Sequence, residues 1–254
     1  MNRRALVRRP GPRLDEGLLT HLDRVEVDTA LAHRQWLAYV AALQAEGWEL
    51  FEVDPADDCP DAVFVEDSAV VYGDLAVITR PGADERKPET AGTERALAGL
   101  GYRVAHITEP GTLDGGDVLK HGGTVWVGTG GRTNQAGVDQ LRDHLAPLGA
   151  DVVAVPVSKV LHLKSAVTAL PDGTVIGFDP LVDDPGTFPA YLSVPEESGA
   201  HVVLLDDATV LMSTSAPRTR ELVESRGLRV VAVDISEYEK LEGCVTCLSI
   251  RLRG

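Results

Sequence analysis

Two of the three cysteines in this chain, Cys244 and Cys247, lie near its C-terminus in a C-x-x-C spacing. This spacing is compatible with a redox pair, half of a zinc site, two buried inert thiols, or a nucleophile. No second Cys/His pair at a zinc-like spacing occurs in the sequence. Apolar and polar residues alternate after Cys247, which predicts an extended strand over 244–252. Residues three apart in a strand point to opposite faces, so we expect neither a shared metal nor a disulfide. On spacing alone, a buried structural cysteine remains as well supported as a catalytic one.

Carboxylates and an imidazole begin the β-rich runs elsewhere in the chain. Asp61, Glu66 and Asp67 lie in "DAVFVED", Asp114 lies in "LDGGD", and His162 lies in "VLHLKS". A thiol, an imidazole and a carboxylate are the parts of a cysteine–histidine–acid nucleophilic centre. Each residue alone also has a structural explanation: a turn aspartate, a core histidine, or charges that keep an edge strand from aggregating. The thiol, the imidazole and the carboxylates can act together only if secondary-structure elements bring them close to one another.

The pattern of elements predicts such a convergence. Four segments read as β-hairpins, with turns at 73–74, 122–123, 172–173 and 206–207. Amphipathic helical patterns and lone β runs lie between them. The C-terminal run "VTCLSIRL" can pair with the N-terminal run "RALVRRP" and complete a fifth unit. Such repeats bury their faces against neighbours in a ring and bring corresponding strand ends to a shared axis. We predict one domain over 1–254, with the site at that axis.

Composition narrows the class of protein. The chain has 254 residues, 44% of them hydrophobic and 25% charged, with a formal net charge of −15. These values are typical of a globular protein, and the acidity argues against nucleic-acid or anionic-membrane partners. No apolar run approaches the roughly 18 residues of a membrane span, and no signal peptide is recognised. We expect a cytoplasmic protein with reduced thiols and a small-molecule substrate, and a homodimer is compatible with the sequence.

Six stretches resemble one enzyme family when they are taken together. They lie in order between about residues 59 and 250: "CPDAVFVEDSAVV", "AVITRPGA", "TLDGGDVL", "RTNQ", "VLHLKS" and "LEGCVTCLSI". They are similar to dimethylarginine dimethylaminohydrolase (dimethylargininase), of the guanidino-group-modifying superfamily. That resemblance implies an α/β fold, a five-bladed α/β propeller (pentein) of pseudo-fivefold ββαβ units. It also implies hydrolysis of Nω,Nω-dimethyl-L-arginine and Nω-methyl-L-arginine to L-citrulline and an amine, through a covalent S-alkylthiouronium and without a metal or organic cofactor.

The same resemblance implies a role for individual residues. Cys247, but not Cys244, matches the nucleophile, His162 matches the general acid/base, and Asp114 matches the acid that orients it. The implied substrate-binding residues are Asp61, Glu66 and Asp67 around the guanidinium, Arg86 and Arg132 near the α-carboxylate, and Leu18, Leu241 and Glu242 in a lid loop and a loop at the amino-acid end. One departure is His201, which stands where the family pattern has asparagine.

Three alternatives remain at this stage. An arginine deiminase of the same superfamily would act on free arginine, although such enzymes are longer and carry an added helical segment. A non-catalytic pentein would bind a partner and would be expected to lack the Cys–His–acid set. A C-x-x-C redox or zinc protein is disfavoured by the predicted strand.

Overall fold

A computed structural model describes residues 3–253, where fifteen strands form five three-stranded sheets. Residues 1, 2 and 254 belong to the predicted domain but lie outside the described residues, and its extent stays a prediction. The strands are β1 (Arg3–Val7), β2 (Glu49–Glu52), β3 (Ala69–Tyr72), β4 (Leu75–Ile78), β5 (Arg103–His106), β6 (Val118–His121), β7 (Thr124–Thr129), β8 (Asp151–Pro156), β9 (Val167–Ala169), β10 (Val175–Gly177), β11 (Tyr191–Ser193), β12 (Val202–Leu204), β13 (Thr209–Ser213), β14 (Arg229–Val233) and β15 (Ile250–Arg253).

Every sheet repeats one topology. Its middle strand pairs antiparallel with one neighbour and parallel with the other, in the orders β15-β1-β2, β3-β4-β5, β6-β7-β8, β9-β10-β11 and β12-β13-β14. The four predicted hairpins are present. The fifth joins the two ends of the chain, with Arg4 opposite Leu252. Gly73 and Gly122 turn two of the hairpins at a φ of 56°, a conformation that glycine adopts at little cost.

Helices make most of the parallel connections. The α-helices are α1 (Thr29–Ala45), α2 (Thr90–Gly99), α3 (Gln135–Leu145), α4 (Leu163–Ala166), α5 (Pro217–Ser225) and α6 (Ser236–Glu239). Four of them, α1, α2, α3 and α5, connect the last two strands of their units. The β10–β11 connection holds only the 3-10 turns Asp179–Leu181 and Pro185–Thr187. Prolines at 180, 185 and 189 remove donors that an α-helix would need there. The ββαβ pattern is therefore complete in four units and shortened in one.

The apolar side chains show that the five sheets close into a ring. One buried cluster lies between each pair of neighbours. Val77 and Val125 join the second and third sheets, for example, and Ile176 and Val210 join the fourth and fifth. The remaining clusters link the third sheet to the fourth and the first sheet to both of its neighbours. The predicted five-bladed α/β propeller is confirmed.

A short turn precedes the first strand of each hairpin, at the same end of the ring. The five turns are Val65–Ser68, Gly115–Asp117, Leu163–Ala166, Glu197–Ala200 and the loop 244–249. They carry or adjoin the chemical residues singled out in the sequence. Among the described residues, no helix is both long and apolar enough to cross a bilayer.

Candidate active site

Cys247 lies in a turn, where the sequence predicted a strand. The main-chain N–H of Cys247 donates to the carbonyl of Cys244 over 3.1 Å, and strand β15 begins only at Ile250. The prediction of an extended run over 244–252 is therefore wrong for its first half. The expectation that the two thiols point to opposite faces is also wrong, because the two sulphurs lie 3.3 Å apart. A single turn is too short for side-chain periodicity to distinguish it from the strand that follows.

The two thiols interact with each other. The pKa of Cys247 is raised by its hydrogen bond with Cys244, by burial, and by the nearby carboxylates of Glu66 and Asp67. The pKa of Cys244 is lowered, chiefly by the hydrogen bond that its sulphur shares with Cys247.

His162 and Asp114 form a buried pair beside this thiol. His162 is the residue immediately before α4, and Asp114 is the residue immediately before the turn Gly115–Asp117. The Nε2 atom of His162 lies 3.0 Å from Oδ2 of Asp114, whose Oδ1 accepts the N–H of Gly82 over 2.9 Å. Burial disfavours the imidazolium, but Asp67 and the bond to Asp114 outweigh it and raise the pKa of His162 to about 9. The ring is positively charged at neutral pH.

Asp117 supports the same pair and was assigned no role from the sequence. Its carboxylate accepts the N–H of Leu163 over 2.9 Å and the hydroxyl of Thr133 over 2.6 Å. It thereby holds the main chain next to His162. Burial raises the pKa of Asp117 to about 6. The sequence does contain a signal for this residue, because Asp117 is the second carboxylate of "LDGGD". The glycine before it is equally constrained, because a Cβ on Gly116 would lie 2.6 Å from both Asp67 and His162.

Asp67 faces His162 from the other side and is paired with Arg86. Its Oδ1 lies 3.9 Å from Nδ1 of His162, and its Oδ2 lies 2.6 Å from Nη1 of Arg86. Burial would raise the pKa of Asp67, but His162 and Arg86 lower it to about 2. Arg86 also binds Glu89 through two hydrogen bonds, of 3.0 and 2.8 Å, and is itself buried. The guanidinium expected at the substrate α-carboxylate is thus already neutralised by Asp67 and Glu89 beneath the site.

The carboxylate of Glu66 is directed away from the cavity that Cys247 lines, and its place at the guanidinium stays a prediction. Its Oε1 atom lies 2.5 Å from Nζ of Lys164 and 2.6 Å from Nη2 of Arg251. These side chains line a separate cavity of about 260 Å³ on the ring axis. Glu66 and Asp67 are adjacent in a 3-10 turn, where successive side chains point about 120° apart, so only one of them faces the thiol.

The lid loop, residues 17–27, covers the site and is held by two carboxylates. Asp61 accepts the N–H of Leu18 over 3.0 Å. Oε1 of Glu242 accepts the main-chain N–H groups of Thr20, His21 and Leu22. The backbone of Glu242 has a φ of 59°, a conformation that residues other than glycine seldom adopt. Nη2 of Arg132 lies 3.4 Å from the hydroxyl of Thr20.

The enclosed space beneath this loop is small. Its volume is about 10 Å³, whereas a cavity that holds one water molecule needs roughly 10–15 Å³. It is lined by Leu18, Asp61, Phe64, Asp67, Arg86, Arg132, Leu161, His162, Leu241, Glu242, Gly243 and Cys247. Larger cavities lie on the axis and at the hairpin turns, but they have neither a thiol nor His162 in their walls. The candidate site is therefore identified by the thiol and the imidazole in its wall, and not by the volume of its cavity.

The donor groups of the site do not suit a metal ion. Asp67, Asp114 and His162 bring ligand atoms within 4.8 Å of one another, a spacing compatible with a divalent cation. Each of these groups already has a partner within the protein, however, because His162 pairs with Asp114 and Asp67 pairs with Arg86. The cluster is better explained as a proton-transfer group.

No protein-family model matches the chain. An N(G),N(G)-dimethylarginine dimethylaminohydrolase of Streptomyces coelicolor is 67% identical over 252 residues, which cover 99% of this chain and 98% of that protein. A solved structure of the enzyme from Pseudomonas aeruginosa, a cysteine-to-serine mutant complexed with citrulline, is 34% identical. It superposes with a TM-score of 0.92 and covers 99% of this chain and 100% of that chain.

A more distant structure shares the fold alone. The N-terminal domain of ArgZ, an arginine dihydrolase from cyanobacteria, superposes with a TM-score of 0.88 at 20% identity, covering 100% of this chain and 98% of that chain. The fold is that of one class of proteins, the guanidino-group-modifying (pentein) hydrolases. Within that class, the chain belongs to the dimethylarginine dimethylaminohydrolase family.

Proposed function

We propose that this protein hydrolyses Nω,Nω-dimethyl-L-arginine and Nω-methyl-L-arginine to L-citrulline, releasing dimethylamine or methylamine. The observation that carries the proposal is the buried group formed by Cys247, His162 and Asp114 at one end of the ring. Full-length identity of 67% to a dimethylarginine dimethylaminohydrolase supports it. The substrate is a small molecule. We further propose a cytoplasmic location, while a homodimer stays a prediction from the sequence.

Carboxylates select the cationic end of the substrate. A guanidinium is a poor electrophile because resonance and positive charge stabilise it. Asp67 lines the cavity with Cys247 and would hold the guanidinium by charge-assisted hydrogen bonds. The cation also lies where it lowers the pKa of the Cys247 thiol, offsetting the carboxylates that raise it. Binding and activation of the nucleophile are then one event.

The other end of the substrate would meet the lid. Arg132 would bind the α-carboxylate, and the main chain of Leu18 and Leu241 would face the α-amino group, while Asp61 stays assigned to the guanidinium end. All four line the same cavity. Arg86 acts mainly by holding Asp67, and Glu242 acts by closing the lid, so neither needs to contact the substrate directly.

The reaction proceeds in two halves. The Cys247 thiolate attacks the central guanidino carbon and forms a tetrahedral adduct. His162, kept charged by Asp67 and Asp114, then donates its proton to the departing alkylamine, leaving an S-alkylthiouronium on Cys247. Neutral His162 next takes a proton from water, which attacks the same carbon. Collapse of the second adduct breaks the C–S bond and releases citrulline and the thiol.

One assay separates this reaction from its rivals. The protein is incubated with arginine, monomethylarginine or asymmetric dimethylarginine, and citrulline and the released amine are measured. We expect turnover of the methylated substrates and none by Cys247→Ser with an unchanged fold. Citrulline formed mainly from unmethylated arginine would instead indicate an arginine deiminase. No turnover of any of the three by the wild type would support a non-catalytic binding protein.

A further inference from the structure

The two thiols of the loop 244–249 are placed to react with each other. They lie 3.3 Å apart, and a disulfide requires about 2 Å, so the sulphurs need to close by only about 1.3 Å. The hydrogen bond from the Cys247 N–H to the Cys244 carbonyl defines a tight turn. Such a turn brings the two Cα atoms within roughly 7 Å, close to the range that a disulfide spans. Side-chain rotation can therefore form the bond.

We propose that Cys244 is a resolving thiol: when a peroxide oxidises Cys247 in the resting protein, Cys244 captures it as an intramolecular disulfide that reversibly switches off the nucleophile. The loss of activity rests on the proposed nucleophilic role of Cys247. The formation of the bond does not. The oxidant is hydrogen peroxide or a small organic hydroperoxide.

The two sulphurs differ in their position relative to the cavity. Cys247 lines the cavity beneath the lid, so an oxidant that enters this space meets the Cys247 sulphur first. Cys244 is buried at 3% exposure behind it, among apolar side chains, and is absent from the walls of that cavity. Oxidation therefore begins at Cys247, and Cys244 responds from within the protein.

The contacts of Cys244 favour a thiolate ready to attack. Its sulphur shares a hydrogen bond with the Cys247 sulphur, 3.3 Å away, and the hydroxyl of Thr246 lies 3.2 Å from it. The hydrogen bond with Cys247, with a smaller electrostatic contribution from nearby His201, lowers the pKa of Cys244 to about 5. His201 is held in place by the carbonyl of Ser165, 2.8 Å from its Nε2 atom. The histidine that departs from the family pattern thus supports the resolving thiol.

The chemistry balances in three steps. The proton of Cys247 moves along the hydrogen bond to Cys244, and the Cys247 thiolate attacks peroxide; an S–O bond forms, the O–O bond breaks and hydroxide leaves. Hydroxide takes the proton back from Cys244 and becomes water. The Cys244 thiolate then attacks the sulphur of the Cys247 sulfenic acid, forming the S–S bond and expelling a second hydroxide. The peroxide is reduced, and the two sulphurs share the two-electron oxidation.

Without a resolving thiol, the outcome differs. A sulfenic acid that persists is oxidised further to sulfinic acid, which ordinary thiols do not reverse. The disulfide is returned to two thiols by a dithiol reductant. Cys244 therefore converts irreversible damage of Cys247 into a recoverable state.

The test uses the whole protein and compares wild type with Cys244→Ser, Cys247→Ser and Cys59→Ser. Cys59 is the matched control, because it is also buried but its sulphur contacts the carbonyl of Glu85. Each protein is treated with hydrogen peroxide, and its mass, activity and recovery with dithiothreitol are measured. Trypsin releases both reacting cysteines in the single peptide 241–251, so the modified site is read directly.

We expect wild type and Cys59→Ser to become two hydrogens lighter in peptide 241–251, to lose activity, and to regain it with dithiothreitol. Cys244→Ser should gain oxygen atoms on Cys247 and stay inactive, and Cys247→Ser should not lose two hydrogens. Cys244→Ala serves if the serine variant does not fold. Oxygen addition to wild-type Cys247 without hydrogen loss would overturn the proposal, as would equal recovery of Cys244→Ser. The mass change needs no turnover, so it tests the bond even if the proposed substrate is wrong.

Discussion

The Nε2 atom of His162 lies 3.0 Å from Oδ2 of Asp114, and both side chains are buried away from solvent. Burial alone would leave the imidazole neutral, so the pair and its neighbour Asp67 determine the charge of the ring. With a pKa of about 9, His162 carries a proton throughout the neutral range. In the proposed reaction, His162 is therefore already charged as the acid for the departing amine before any substrate binds.

Asp114→Asn should move the alkaline limit of activity to lower pH. The amide keeps the shape of the carboxylate but removes its charge, which lowers the pKa of His162. Because the imidazolium is the acid, kcat falls as pH rises through that pKa, and it should fall earlier in the variant. At the optimum we expect a loss of roughly 10²–10⁴ in kcat. Rate profiles of Asp114→Asn and the exposed control Asp143→Asn measure this. An unshifted alkaline limit would contradict the role of Asp114.

Stability should also depend on pH through His162. Its pKa is raised above the unfolded value of 6.5, so its contribution is fully present below pH 6.5 and is lost as pH rises through about 9. The free energy of unfolding should therefore decrease over this window, by up to about 3 kcal/mol. Urea denaturation of wild type and His162→Gln across the window measures the difference. Equal slopes in the two proteins would argue against a charged His162.

Arg132→Ala and Arg86→Ala should fail in different ways. Arg132 is half-buried at the lid, and its removal should raise KM with little change in stability. Arg86 neutralises the buried carboxylates of Asp67 and Glu89, so its removal should cost about 3–5 kcal/mol of unfolding free energy. Steady-state kinetics and urea denaturation on both variants separate the effects. An unchanged KM for Arg132→Ala would count against carboxylate binding.

Glu242→Gln should raise KM by loosening the lid. The carboxylate accepts three main-chain N–H groups, and bonds to a charged acceptor are roughly twice as strong as neutral ones. Trypsin should cleave the variant faster at Arg24, which lies within the lid loop. The exposed Glu221→Gln is the control. If cleavage at Arg24 and KM both match wild type, Glu242 does not hold the lid.

Glu66→Gln should reduce stability more than substrate binding. It leaves Lys164 and Arg251 without their shared carboxylate, yet Glu66 is not in the wall of the candidate site. Adding Lys164→Met removes one uncompensated charge and should restore part of the lost stability. Urea denaturation and KM of the single and double variants are the measurements. A large rise in KM in a stable Glu66→Gln would favour the sequence-based placement at the guanidinium.

The fold was predictable because its signals are local. Glycine and aspartate turns between β-rich runs gave the hairpins, and helix periodicity gave α1, α2, α3 and α5. The sequence did not predict β11, which is three residues long and follows a proline-rich connection without a helix. A strand that short carries no periodicity of its own.

The site was harder to predict because its details depend on contacts between distant segments. Motif resemblance named Cys247, His162 and Asp114, which the structure brings together. The resemblance could not show that Glu66 forms an ion pair with Lys164, or that Glu89 forms one with Arg86. Both pairs depend on how short turns orient their side chains. The turn at Cys244–Cys247 was misjudged for the same reason.

The pairing of β1 with β15 has a consequence for synthesis on the ribosome. Four blades can form their hairpins from neighbouring residues, but the first sheet must wait for residues 250–253. The loop that carries Cys247 directly precedes that last strand, so the reactive thiol joins its histidine only when the ring closes. We expect a nascent or truncated chain that lacks β15 to keep only β1 and β2 in its first sheet and to leave the loop of Cys247 without the strand that anchors it.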